Sequence, residues 1–244
     1  MPHLTRPTAR TPHHLGFWCL LLGSLLLLPA LSRAQSPEPP TPFRASYTAK
    51  LDKGLALNGD ARRSLTPQGN GVWLYRTEVN SFIANINESL VLRWDDGRVV
   101  PLRYRYRLSG MLVKDREQAI DFDWDAGVAT GQYRGKSFEL PLREGALDPL
   151  GYQLQLRQDI RAGRRDMRYQ VIDGGDYDEN VFAVVGEDGD RHLLKAEKVR
   201  SPDAKRRTYL WFDPDQAFLL VRLLQVEPDG SRYELTLSEA ELGD

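Results

Sequence analysis

The sequence predicts a mainly β fold: one strongly curved antiparallel sheet, or an incomplete β-barrel, with a single principal α-helix packed on its concave face. Three observations carry this. Apolar and polar residues alternate along most of the chain, the period of a strand with one wet face. Gly-, Asp- and Pro-containing turns separate the alternating runs. Only Leu147 to Gly163 carries helical spacing with stop signals at both ends.

The first segment is a targeting signal. Arg6 and Arg10 precede an almost wholly apolar run from Leu15 to Leu28, Pro29 breaks it, and Ser32-Arg33-Ala34 supplies small residues where signal cleavage needs them. That run is short for a membrane span of about 20 residues. Residues 1–34 are therefore expected to be a cleaved signal peptide, which places the product in the periplasm. Residues 35–42 hold four prolines and form a mobile leader. Residues 43–240 form a single β-rich domain, and 241–244 a tail. Cleavage leaves 30 Lys and Arg against 34 Asp and Glu, which does not suggest a nucleic-acid partner. It also removes the one cysteine, Cys19, so disulfides, thiol catalysis and cysteine metal sites are not expected.

Phe43 to Leu51 opens the domain, with Phe43, Ala45, Tyr47, Ala49 and Leu51 on one side. Leu55 to Leu65 is its candidate partner, and Val72 to Val79 follows a Gly-rich turn. Phe82 to Asn87 suits a helical turn as well as a bent strand. Asp95-Asp96-Gly97 is a hairpin turn between Glu88–Trp94 and Val99–Leu108. In the second of these, Arg103, Arg105 and Arg107 alternate with Leu102, Tyr104, Tyr106 and Leu108. Asp121, Asp123 and Asp125 alternate likewise with Ile120, Phe122 and Trp124. Pairing 103 with 125, 105 with 123 and 107 with 121 would align both charge rows on one face, with Tyr104 beside Trp124. The segment from Ser109 to Ala119 would then be a long excursion between the two strands.

The helix is expected over Pro149 to Ala162, about 21 Å long. Asp148 can cap it, Pro149 suits its first position, and Gly163 can end it in a left-handed conformation. Leu150 and Leu154 share its apolar side. Further strands follow up to Ala217–Val226, the most apolar run of the domain, and Tyr233 to Leu237.

Chemistry is sparse. His192 is the only histidine after cleavage and sits in a hairpin turn. The aspartates from 121 to 125 lack the glycine and glutamate of a calcium loop. No catalytic residue, metal site or cofactor is expected. What remains is a set of large apolar and aromatic side chains that either simply form the core or leave an apolar groove between sheet and helix, lined by Tyr104, Tyr106, Phe122, Trp124, Leu150 and Leu154, able to hold a lipid or acyl chain. A structural factor that binds an envelope protein by a sheet edge is the alternative, and a carboxylate-based hydrolase the second alternative. The oligomeric state is left open.

Four stretches carry a resemblance: Phe43-Arg-Ala-Ser-Tyr47, Leu147-Asp-Pro-Leu150, Thr208-Tyr-Leu-Trp-Phe-Asp-Pro-Asp215, and Ala217 to Val226. Their order resembles the exported bacterial proteins catalogued as domain of unknown function 3108. In that family the strand after the turn often begins with a Pro-Val or Pro-Ile step, where this chain has Phe218-Leu-Leu-Val221. The resemblance implies an exported protein and brings no catalytic residues. The architecture also looks like the periplasmic lipoprotein carriers, incomplete barrels closed by helices, although this chain offers one strong helix only.

Overall fold

Among the described residues, the alternating runs become fourteen strands joined in one sheet. A computed structural model describes residues 38–52, 56–82, 84–111, 113–189 and 192–243. The signal-peptide segment lies outside these residues. The strands are β1 (Phe43–Asp52), β2 (Ala56–Gly69), β3 (Val72–Ser81), β4 (Asn85–Asp95), β5 (Arg98–Ser109), β6 (Arg116–Asp123), β7 (Val128–Tyr133) and β8 (Lys136–Pro141), followed by α1 (Gly151–Arg161). Then come β9 (Asp166–Asp173), β10 (Asp176–Asp188), β11 (Leu193–Val199), β12 (Arg207–Asp213), β13 (Leu219–Val226) and β14 (Arg232–Leu242). The spatial order runs from β8 back to β1, crosses to β14, and runs back to β9. Every neighbouring pair with an assigned register is antiparallel.

The antiparallel sheet and the single principal helix match the expectation. The strongly curved sheet or incomplete β-barrel does not. The sheet is open: β8 and β9 are its two ends, and they share no ladder. Alternation fixes which residues face the core, but closure depends on pairing between the terminal strands, and alternation carries no information about that. The chain instead leaves the sheet after Pro141, passes through α1 and re-enters as β9. On the way Leu147 makes one isolated parallel bridge to Val171 of β9.

The β5–β6 register differs from the expected one. The strands are antiparallel neighbours, but Arg103 lies opposite Asp121, Arg105 opposite Ala119 and Arg107 opposite Glu117. The slip is four residues, so every side chain keeps its face. Trp124 and Asp125 belong to the β6–β7 turn, so the expected pairing would run a strand through that turn. β6 also starts at Arg116, which shortens the expected excursion to a hairpin connection.

The helix is shorter than expected, eleven residues from Gly151 to Arg161. Gly163 ends it as read, while Leu150 stands at its N-cap, so Pro149 precedes the helix and Asp148 caps it from ahead of Leu150. One oxygen of Asp148 accepts from the N–H groups of Leu150 and Gly151, at 2.9 and 3.0 Å. At the other end Arg164 N–H bonds Asp159 C=O, Gly163 N–H bonds Ile160 C=O, and Gly163 takes a φ of 81°. That is the paired-bond Schellman ending, whose left-handed residue glycine adopts without steric cost. Gly151 serves Asp148: a Cβ there would lie 2.8 Å from the second carboxylate oxygen.

Leu150, Leu154, Leu156 and Ile160 pack into the same core as Leu65, Leu90, Tyr104 and Ile120 of the sheet. Truncating one such leucine to alanine costs roughly 2–5 kcal/mol. The helix is buried on its polar side as well: Gln155, Arg157, Gln158 and Asp159 are all below one-tenth exposed. Each charged or amide group must then find a partner inside the protein. These partners define the candidate site.

Candidate binding cleft

The second half of α1 borders a cleft of about 940 Å³. The β4–β5 hairpin, Trp124 from the β6–β7 turn and the start of β9 form its other walls. The hairpin turns through Asp96 and Gly97, both at positive φ (45° and 80°). Consecutive positive φ values are what a tight two-residue hairpin needs, and they account for the Asp-Gly signal.

Gln155 fastens this hairpin to the helix. Its carbonyl accepts from Val99 N–H at 2.8 Å, and its amide donates to Gly97 C=O at 3.2 Å and to Asp159 at 3.0 Å. Asp159 also accepts from the Tyr169 hydroxyl at 2.7 Å and pairs with Arg164 at 3.4 Å. Burial, together with the Asp159 charge, pushes the Tyr169 phenol far up, so it stays a donor. Helix, hairpin and β9 are thus tied through one carboxylate.

Around this fixed centre lie groups with less to hold them. Arg161 pairs with Glu38, ahead of β1, at 2.8 Å, and that glutamate is largely exposed. Arg98 and Glu144 form an exposed pair at 3.4 Å. Trp94 and Gln158 each keep a buried N–H donor, Nε1 and Nε2, without an acceptor among the described residues. Trp124 spends its own N–H on Pro101 C=O at 2.7 Å and stacks on Phe122, ring centroids 6.2 Å apart. The cleft therefore combines two indole surfaces with five arginines and six carboxylates, and two of its bordering residues, Trp94 and Gln158, keep unsatisfied donors buried in its wall.

Among the described residues, the six expected to line an apolar groove border no common hollow of those seen. Tyr104, Phe122, Leu150 and Leu154 are core residues. The hollow left between sheet and helix beside Leu154 is about 20 Å³, room for about one water and far too little for an acyl chain. Tyr106 is half-buried and borders a different hollow, while Trp124 alone borders the cleft. The interior there is also more polar than an acyl-chain groove. The Tyr104 hydroxyl bonds Glu88 at 2.5 Å, and Arg63, itself buried, bonds Gln153 at 2.5 Å. Burial raises the Glu88 carboxyl above its ordinary range, and the Tyr104 hydrogen bond and the Arg63 charge oppose it.

Gln155, Gln158, Asp159, Trp94 and Tyr169 do not stand out in the sequence, because the polar helix positions read as a solvated side. The available signal is the Gln155–Asp159 pair at i, i+4, which can stabilise a helix. Arg157 escapes notice for the same reason. Its guanidinium donates twice to Ala217 C=O, at 3.1 and 3.0 Å, and lies 4.7 Å from the Phe43 ring centroid. Ala217 and Phe218 both hold positive φ (49° and 58°), and that cation helps fix the turn. His192, as expected, sits in a hairpin turn, with Nδ1 3.2 Å from Glu187. Among the described residues no group of three or more acidic, His or Cys side chains is arranged to hold a metal ion.

The stretches at 43–47, 147–150 and 208–226 thus meet through α1 and its contacts. A family model described as a protein of unknown function (DUF3108) matches residues 43–238, from the start of β1 into β14. The chain belongs to that DUF3108 family. No curated protein matches it. Among solved structures, a beta-barrel-like protein of domain of unknown function DUF1849 from Brucella abortus aligns at a TM-score of 0.52 and 15% identity, over 84% of this chain and 99% of that one. The likeness extends to the fold. A DUF1329 family protein from Desulfovibrio piger aligns at 10% identity over 84% of this chain and 87% of that one, with a TM-score of 0.24.

Proposed function

We propose that this DUF3108 protein is a non-enzymatic, exported envelope protein that binds an anionic amphiphile in the cleft beside α1. The observation that carries the reading is the pair of buried donors, Trp94 Nε1 and Gln158 Nε2, left without acceptors in residues that border the cleft. An unmade buried hydrogen bond costs about 1–3 kcal/mol, and a ligand oxygen would recover it. Trp94 and Trp124 offer apolar surface, and Arg93, which has no ion-pair partner among the described residues, offers charge for an acidic group, while Arg161 and Arg164 are held by Glu38 and Asp159. Export rests on the residue pattern of 1–34 and sets the compartment in which such a ligand would be met.

Tryptophan fluorescence during titration with a long-chain fatty acid, against its methyl ester, tests this. A saturable spectral shift with the acid and a much weaker one with the ester is expected. Gln158→Leu removes one donor and should weaken the acid by about tenfold or more, since hydrogen bonds to charged groups contribute about 1.5–3 kcal/mol. No saturable shift, or equal response to acid, ester and variant, overturns the reading. A co-purifying protein with no bound ligand would point instead to β8, which is bonded on one side only and could accept an added strand.

A further inference from the structure

The outer face of the sheet carries a second, independent feature. Following the register from strand to strand, Arg44 of β1 lies opposite Ser64 of β2, and Ser64 opposite Arg76 of β3. Arg76 lies opposite Ser89 of β4, and Ser89 opposite Arg105 of β5. One row across five strands therefore reads Arg, Ser, Arg, Ser, Arg. Neighbouring strands are about 4.8 Å apart, so the arginines recur every ~9.5 Å over a span of about 19 Å. The serines between them are short, and the row is lowered there. Two hollows, about 350 and 500 Å³, lie along it and share Arg76 and Glu78. Together they make a trough running perpendicular to the strands.

The charges along the trough differ in how far they are committed. Arg105 is tied to Asp121, and Arg107 lies 3.5 Å from Glu117. Among the described residues Arg44, Arg62 and Arg76 have no ion-pair partner, and Arg44 and Arg76 are exposed. Glu78, Glu239 and Glu241 stand along the same hollows. A dense polyanion such as a nucleic acid would meet those carboxylates at every few ångströms of its length. A chain with widely spaced acidic groups and hydroxyls between them would not. Its acids would meet the arginines, and its hydroxyls could donate to the glutamates and exchange hydrogen bonds with Ser64, Ser89 and Asn87.

The geometry points to an acidic glycan as the occupant of this trough, lying across β1 to β5 with the carboxylates of successive disaccharide repeats placed on Arg44 and Arg76. The site is on the face opposite the core and does not depend on the cleft beside α1.

Calorimetric titration of the full protein with hyaluronan oligosaccharides, which carry one carboxylate per disaccharide, tests the assignment. A neutral chitin oligosaccharide of equal length serves as the control, and a peptide with glutamate at every third position as the competing class. Hyaluronan should bind with an affinity that falls as salt rises, and the neutral chain should not bind. Arg76→Glu, at an exposed strand position, should lower the affinity at least tenfold while the circular dichroism spectrum stays unchanged. Arg76→Lys should retain part of it. Absence of hyaluronan binding, equal binding by Arg76→Glu, or preference for the peptide overturns the proposal. Failure of the fatty-acid titration would leave this result untouched, because the two sites share no residue.

Discussion

The helix side and the outer face of this protein use polar residues in opposite ways. Along α1, Gln155, Arg157, Gln158 and Asp159 are buried, and Gln155, Arg157 and Asp159 each hold another element in place. On the outer face, Arg44 and Arg76 are exposed and make no ion pair among the described residues, although Arg44 lies opposite Glu241 in the β1–β14 register. Buried polar groups contribute specificity and carry a large penalty when broken, whereas exposed ones contribute little to stability and are available to a partner. A side chain's energetic weight therefore follows its surroundings and not its type. It also follows that binding chemistry is least disruptive to alter on the outer face and most disruptive beside the helix.

The sharpest way to break this contrast is Asp159→Ala. The substitution leaves the Tyr169 hydroxyl without its acceptor and removes one of the Gln155 partners, both in buried surroundings. A loss of about 3–5 kcal/mol is expected, as for a buried network deprived of its charge. Arg76→Ser on the outer face should stay within about 0.5 kcal/mol. Urea unfolding of the two variants measures both. Similar losses would remove the distinction between the two regions.

A pH series sharpens it next. Asp148 is fully buried, and burial raises its carboxyl to about 7, while the N–H groups of Gly151 and Leu150 act to lower it. In the unfolded chain the same group titrates near 3.8. Between these values the folded protein holds a proton that the unfolded chain has released. Stability should therefore fall as pH rises from about 4 to 7 and level off above that. From pH 5 to pH 8 the fall from this group is about 2–3 kcal/mol. Glu88, also raised by burial, acts in the same direction. Asp148→Asn keeps an oxygen for Leu150 and Gly151 and should flatten most of the slope. An unchanged slope would mean that Asp148 does not carry it.

How much of this is legible in the sequence differs by region for a physical reason. Strand faces follow from period two, which places Phe43, Ala45, Tyr47 and Tyr104 toward the core, where they lie. The caps at Asp148 and Gly163 follow from local backbone chemistry and are legible as well. What a helix packs against is not local. Gln155, Gln158 and Asp159 have the composition of a solvated side, and only the hairpin and β9 arriving there make them interior. The openness of the sheet is non-local in the same sense, because it depends on whether two strands distant in sequence pair. The six expected lining residues are mostly apolar and inward-facing as read, but inward-facing residues that pack well leave no cavity.

The β5–β6 charge rows give the smallest and most discriminating test, because the sequence and the structure name different partners. Alternation alone places Asp123 opposite Arg105. In the structure Arg105 contacts Asp121 with two bonds, at 2.9 and 3.0 Å, although Ala119 is its opposite residue. The contact is therefore diagonal. Arg105 also donates to the backbone oxygens of Tyr104 and Ile120, at 2.8 and 3.1 Å, which fixes its direction. Both members of the pair are more than two-fifths exposed, so solvent screening limits its worth to about 0.3–1 kcal/mol. Asp123 plays another part, accepting from Ala126 N–H at 2.8 Å and closing the β6–β7 turn. Two double-mutant cycles separate these roles. Arg105→Gln with Asp121→Asn should show a coupling of that size. Arg105→Gln with Asp123→Asn should be additive, because the two side chains share no contact. Coupling in the second cycle and not in the first would restore the four-residue slip and place Tyr104 beside Trp124 after all.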